Sequence, residues 1–210
     1  MSLNLLSLAD APTDSRLSDA APAPVTGPQP LPPAPLLAEL QGAQRGDPAS
    51  FACLVRAHQA RVFSVALRLT GRREDAEELA QDAFVQLHAA LPQINSPAHL
   101  LHWLLRTISH RSIDRLRQRE RAPRLVQIEV EQAAAETPMD PLWSRRLREL
   151  LGALPAAPRA VLLLRYQEDL EPSEIAATLD MPLNTVKSHL RRSLEWLRAQ
   201  QIEAGDSHGH

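Results

Sequence analysis

Leu170 to Gln200 reads LEPSEIAATLDMPLNTVKSHLRRSLEWLRAQ, and this stretch decides the class of the whole chain. Ile175, Ala176 and Leu179 recur at helical spacing. A break follows at Asp180, Met181 and Pro182, and Val186, Leu190, Leu194 and Leu197 then begin a second apolar stripe. The pattern predicts two helices meeting at a tight turn. Pro182 cannot continue the first helix, Asp180 tolerates positive φ, and Asn184 is suited to cap the second helix. With the stripe facing inward, Thr185, Lys187, Ser188, Arg191 and Arg192 stay outside near the N-terminal end. A helix-turn-helix places its base and phosphate contacts there. Lys187, Arg191, Arg192 and Arg198 against Glu195 make this helix net positive. A solvated face would carry similar charge, so it is the turn and the stripe together with the charge that point to DNA.

Working outward, the composition is that of helical globular material: 210 residues, 44% hydrophobic, and only 3 Phe, 3 Trp and 1 Tyr. The formal net charge of −2 conceals patches of opposite sign. Cys53 is the only cysteine, which excludes an intrachain disulfide and a CxxC pair; it reads as a small buried hydrophobe. No apolar run reaches the length of a membrane span and MSLNLLSLADAP has no basic residues ahead of its apolar patch, so no membrane insertion and a cytoplasmic location are expected.

Residues 1–45 form a Pro- and Ala-rich extension holding eight of the 18 prolines and are expected to be disordered. Order is predicted to begin at Gly46-Asp47-Pro48, with Asp47 as cap and Pro48 at the first helical position. Phe51, Leu54, Val55, His58, Val62, Ala66 and Leu69 then follow one face as far as Gly71. In the next helix Ala76, Leu79, Ala80, Ala83, Phe84, Leu87 and Leu91 face inward, leaving Asp75, Glu78, Gln81, Asp82 and Gln86 outside. Acidic residues near its N-terminus suit the helix dipole, but the row persists to Asp82, as a docking face for a basic partner would.

After QINSPAH, Ser96 and Pro97 open a long helix with Leu100, Leu101, Leu104, Leu105 and Ile108 buried. Arg106, Arg111, Arg115, Arg117, Arg119, Arg121 and Arg124 meet only Asp114 and Glu120 there, an electrostatic footprint for phosphate. Trp103 reads as core or as support for a stacked base. Residues 125–140 reverse the sign through Glu129, Glu131, Glu136 and Asp140 and read as an acidic linker. Asp140-Pro141 opens a helix carrying Leu142, Trp143, Leu147, Leu150 and Leu151, and another begins near Pro158, so that four short helices make up residues 141–200. Residues 201–210 read as a polar tail.

Three segments, DAEELAQDAFVQLHAAL, HWLLRTISHRSIDRLRQ and EIAATLDMPLNTVKSHLRRSLEWLR, resemble in order and spacing the signature segments of bacterial sigma factors of the extracytoplasmic-function (ECF) group, over about residues 46–200. The resemblance implies an all-α chain with a region 2-like helical bundle at 46–124 and a region 4-like helix-turn-helix domain at 141–200. It implies a promoter-selecting subunit of RNA polymerase that is not an enzyme and needs no cofactor. Asp75, Glu78, Leu79, Gln81 and Asp82 match the segment that docks on the clamp helices of the polymerase largest subunit. The loop from Gln93 to Ala98, including Ile94, Asn95 and Ser96, matches the one that captures a flipped minus-ten base. Arg106, Arg111, Arg115 and Arg117 lie in the strand-opening helix. Lys187, Ser188 and Arg191 match base readers at the minus-thirty-five element, with Thr185, His189 and Arg192 nearer phosphate. Core polymerase, promoter DNA and an anti-sigma factor are the partners implied.

The chain departs from that pattern at four positions. His88 stands where tryptophan is common near the end of the clamp-docking helix, which weakens the packing argument there. Asp180 stands where glycine is frequent in the turn, and Glu171 replaces a serine cap, leaving more of the helix start to Pro172 and Glu174. His189 replaces an arginine, which points to pH sensitivity near six to seven. A free-standing helix-turn-helix regulator is the competing reading, since TVKSHL also resembles response-regulator DNA-binding domains, but residues 1–140 show no strand runs for a receiver. A metal enzyme built on His99, His102 and His110 would need a third ligand at useful spacing, which the sequence does not offer.

Overall fold

The computed structural model describes residues 33–121 and 141–206, with side chains placed over 36–121 and 146–200. The expected acidic linker, Arg124 and the side chains of Leu142 and Trp143 lie outside those bounds. The described residues are helical: α1 (Pro33–Gln44), α2 (Pro48–Thr70), α3 (Arg73–Ala90), a 3-10 turn (Leu91–Gln93), α4 (Pro97–Arg121), α5 (Pro141–Ala153), α6 (Ala156–Tyr166), α7 (Pro172–Leu179) and α8 (Leu183–Asp206).

Order begins earlier than expected. Residues 33–44, placed in the disordered extension on their proline neighbours, form α1, and Leu40 and Ala43 are 1% and 6% exposed. The spacing of Leu36, Leu40 and Ala43 explains this, since one turn separates each from the next and all three meet the core. At the far end α8 continues through Asp206, into the segment expected as a tail.

The local stops behave as their chemistry dictates. Asp47 accepts from Ala49 N at 3.3 Å and Ser50 N at 3.0 Å at the start of α2. Gly71 ends α2 in the left-handed region at φ 71°, its N–H donating to Leu67 O at 2.8 Å. Ser96 Oγ accepts from His99 N at 3.1 Å and caps α4.

The helix-turn-helix forms as predicted, with Asp180 at φ 51° between α7 and α8. Glu174 Oε2 accepts from Glu171 N at 2.7 Å and the Glu171 side chain accepts from the backbone N–H of Glu174, so Glu171 itself caps α7 in a reciprocal pair, with Pro172 at the first helical position. Asn184 is not the cap of α8: the helix starts at Leu183, and Thr185 N and Val186 N donate to Pro182 O. A proline immediately ahead of the helix leaves its carbonyl to take those bonds, which moves the start upstream of Asn184.

α1 lies across α2, and α2 packs on α3 and α4. α6 packs against α2 and α4, and α7 against α4. Buried side chains from Leu40 through Ile113 and from Ala156 through Val186 therefore make one continuous core.

Candidate nucleic-acid and polymerase interface

The acidic row of α3 and the basic row of α4 were read as two separate surfaces, but they face each other. Arg111 Nη1 bonds Asp82 at 2.9 Å, and Arg115 bonds Asp75 at 2.8 Å and Glu78 through both Nη atoms at 3.1 and 2.8 Å. Arg119 Nη2 lies 2.5 Å from the other oxygen of Asp75, an ion pair off the hydrogen-bonding direction. The Arg115 guanidinium holds the exposed Glu78 carboxyl below its ordinary value, by hydrogen bonding first and charge second. Pairing of this kind neutralises much of the positive footprint of α4. Arg117 stays largely free, 3.7 Å from Asp114 on its own helix.

Of the five residues expected to dock on polymerase, Glu78 and Gln81 are exposed and Asp82 is half-exposed, but Asp75 and Leu79 are 5% and 3% exposed. Asp75, expected outside, is corrected to a buried position, and Leu79, inward as its spacing predicts, is not open to a direct surface contact. Leu79 belongs to the inner face of α3, and Asp75 is covered by Arg115 and Arg119. Beside Gln81, a shallow apolar groove of about 430 Å³ runs between α2 and α3, lined by Phe51, Val55, Phe84, Val85 and His88. His88, exposed, stands edge-on to Phe51 with ring centroids 5.1 Å apart.

The loop before α4 presents Gln93 and Asn95 to solvent while Ile94 is buried at 1% exposure. Asn95 N donates to His99 Nδ1 at 3.2 Å. Trp103, half-buried, packs against the core and takes the first of its two readings.

Arg106, still 40% exposed at its side chain, is engaged within the chain. It donates to Asp180 through both Nη atoms and to Ala177 O at 2.8 Å. That hydrogen bond is the main reason the Asp180 carboxyl lies below its ordinary value. His110 Nε2 lies 3.1 Å from Thr178 O, and His102 Nε2 shares a hydrogen bond of 3.2 Å with Thr178 Oγ1. Among the described residues no three His, Cys, Asp or Glu side chains gather closely enough to hold a metal ion, and His99 and His102 are engaged as above. None of the helices there is long and apolar enough to cross a membrane.

On α8, Lys187, Arg191 and Arg192 are exposed and Val186 is fully buried as predicted, while Thr185, Ser188 and His189 are half-buried, as are Leu190, Leu194 and Leu197 of the expected inner stripe, and Ser193 is buried. Arg191 makes only a long contact of 3.9 Å with Glu195. Burial first and Arg192 second push His189 below the usual histidine value.

Sequence reasoning missed Arg159, Glu168 and Gln44. Arg159, 7% exposed, donates to Leu69 O at 2.7 Å, Gly152 O at 2.5 Å and Leu154 O at 2.8 Å. Glu168 pairs with Arg61 across the same seam. An arginine directly after Pro158 in an apolar helix is the available signal for the first; Gln44 lies in the extension expected to be disordered, and nothing local marks Glu168 as a partner of Arg61.

Residues 54–122 match the family described as Sigma-70 region 2 and residues 144–197 that described as Sigma-70, region 4. The chain is 26% identical over 171 residues to the "ECF RNA polymerase sigma factor SigW" of Bacillus subtilis, covering 75% of this chain and 91% of that one. It is 33% identical over 152 residues to the "ECF RNA polymerase sigma factor SigE" of Mycolicibacterium smegmatis, covering 69% of this chain and 59% of that one. Its fold is similar to that of CnrH solved in complex with the cytosolic domain of CnrY, with TM-score 0.58 at 22% identity, covering 79% of this chain and 96% of that one. It is also similar to that of RpoE from Bartonella quintana, solved with the anti-sigma factor NepR, with TM-score 0.57 at 20% identity, covering 71% and 94%.

Proposed function

Since the chain belongs to the ECF group of the sigma-70 family, promoter-recognising initiation factors that are not themselves catalysts, we propose a division of labour among its helices. α8 reads the minus-thirty-five element, with Lys187, Ser188 and Arg191 toward bases and Thr185, His189 and Arg192 toward phosphate. The loop from Gln93 to Ser96 takes an extruded base of the minus-ten element, and Arg106, Arg111, Arg115 and Arg117 on α4 meet the strand around it. Glu78, Gln81 and Asp82, with the apolar groove beside them, dock on the clamp helices of the polymerase largest subunit. Asp75 and Leu79 hold that face from beneath. The chain carries no catalytic residue in this reading and works in the cytoplasm with polymerase. It has an anti-sigma partner, in line with the complexes in which its structural relatives were solved.

The observation that carries the reading is the α7–turn–α8 unit, which exposes Lys187, Arg191 and Arg192 together and buries Val186 behind them. In this arrangement the two DNA surfaces cannot be used at once. Elements about 25 base pairs apart are separated by ~85 Å of helix at about 3.4 Å per pair. A compact chain of this size has a radius of gyration of about 15 to 17 Å. Initiation therefore requires α7 to leave α4, which frees Arg106. Run-off transcription with core polymerase on genomic fragments tests the proposal: start-site selection that depends on the chain is expected, and a chain that fails to bind core polymerase overturns it.

A further inference from the structure

Gln44 ends α1, ahead of the residues matched by Sigma-70 region 2, yet it reaches the loop assigned to base capture. Its Nε2 donates to Leu91 O at 2.9 Å and to Ile94 O at 2.7 Å, so both amide protons are used on one short stretch of backbone. Ile94 N donates back to Leu91 O at 3.1 Å, and the Ile94 side chain is buried. On the downstream side, Asn95 N donates to His99 Nδ1 and Ser96 Oγ accepts from His99 N. Gln93 and Asn95 therefore sit exposed between two braces.

The reach of Gln44 is itself built in. Gly42 is buried where α1 crosses the start of α2, and a Cβ placed there would lie 2.8 Å from Ser50 Cβ, too close for any side chain. Ser50 is held by Asp47, whose Oδ2 accepts from Ser50 Oγ at 2.6 Å. The cap of α2, the close crossing at Gly42 and the grip of Gln44 on the loop form one connected chain of contacts.

We propose that Gln44 is a positioning residue for minus-ten recognition, holding the backbone of residues 91–94 so that Gln93, Asn95 and Ser96 are set before DNA arrives. The inference rests on the reading of that loop as the base-capturing one. A loop braced in one geometry cannot reshape itself around a wrong base, whereas a loose loop adapts to several, so the brace bears on the difference between bases. Gln44 is exposed, so exchanging it does not open the core.

The test uses the full chain with core polymerase on a promoter fragment found by run-off transcription. Initiation rates are measured on the native minus-ten sequence and on its single-base variants, for Gln44→Met, which keeps length without donors, and Gln44→Lys, which keeps donors. Core affinity and binding to a duplex carrying only the upstream element are measured alongside. Gln44→Met is expected to lose about tenfold in base discrimination, the scale of one or two neutral hydrogen bonds, with core affinity and upstream binding unchanged and with Gln44→Lys near wild type. Equal discrimination by wild type and Gln44→Met overturns the proposal, as does a uniform loss on every sequence. A Gln93→Ala, Asn95→Ala, Ser96→Ala triple variant separates the two layers. If it keeps discrimination, the loop is not the reader and both readings fall; if it loses discrimination while Gln44→Met does not, only the role of Gln44 falls.

Discussion

Asp75 offers the sharpest division between a residue that docks and one that holds the fold. Its carboxylate is 5% exposed, bonded to Arg115 at 2.8 Å and paired with Arg119 at 2.5 Å, while those two arginine side chains are 24% and 28% exposed. Removing one partner from a fully buried pair costs about 3 to 5 kcal/mol, and from an exposed pair about 0 to 1. Here the acid is buried and the bases reach water, so Asp75→Ala is expected to destabilise the chain by about 2 to 3 kcal/mol. With a urea m-value of about 1 to 3 kcal/mol/M, the midpoint falls by roughly 1 M. Glu78→Ala, at an exposed carboxylate, should leave the midpoint in place and weaken core polymerase binding. The reasoning is refuted if Asp75→Ala unfolds where wild type does and loses polymerase affinity instead.

Changing Lys187 or Arg191 to alanine should cost about 1 to 3 kcal/mol of promoter discrimination, measured by competition between cognate and altered upstream elements; equal loss on all sequences would make them phosphate contacts. Asp180→Asn removes the charge that engages Arg106, a half-exposed pair that contributes little to stability, so α7 should open a little more often, read as faster hydrogen exchange in α7 at unchanged particle size, and unchanged exchange would show that the pair does not help hold α7 on α4. His58 is buried, its Nε2 is unpartnered, and burial first with Arg61 second pushes its pKa down. The unfolded chain therefore binds the proton first as pH drops below about 6.5, and stability present above that value is lost on acidification, by at most about 1.4 kcal/mol per pH unit; denaturation of His58→Leu at pH 7 and 5.5 should lack that slope.

Much of this could be read from the chain because local chemistry and tertiary structure agree. Asp47, Gly71, Ser96 and Asp180 each stop or start a helix where their local chemistry allows it, and Val186 points inward as its period requires. What could not be read was pairing at long separation. Glu78 and Asp82 look like a free acidic face on α3 and Arg111 and Arg115 like a free basic face on α4, because nothing in either helix reports that the other lies alongside. Asp180 likewise explains itself as a turn residue before its bond to Arg106, 74 positions away, is known. α1 escaped notice for the opposite reason, since prolines as far as Pro35 outweighed three apolar residues at helical spacing.

The continuous core has a bearing on when the protein can act. Drawing α6 and α7 off α2 and α4 uncovers side chains such as Val161 and Leu164 and takes Leu69 O from Arg159. Water offers no compensation for the apolar part, at about 25 cal/mol per Å² exposed. Only a partner that lays comparable surface against both halves can keep them apart. On the reading proposed for its helices, the area that such a partner covers is what sets the closed chain against the open one.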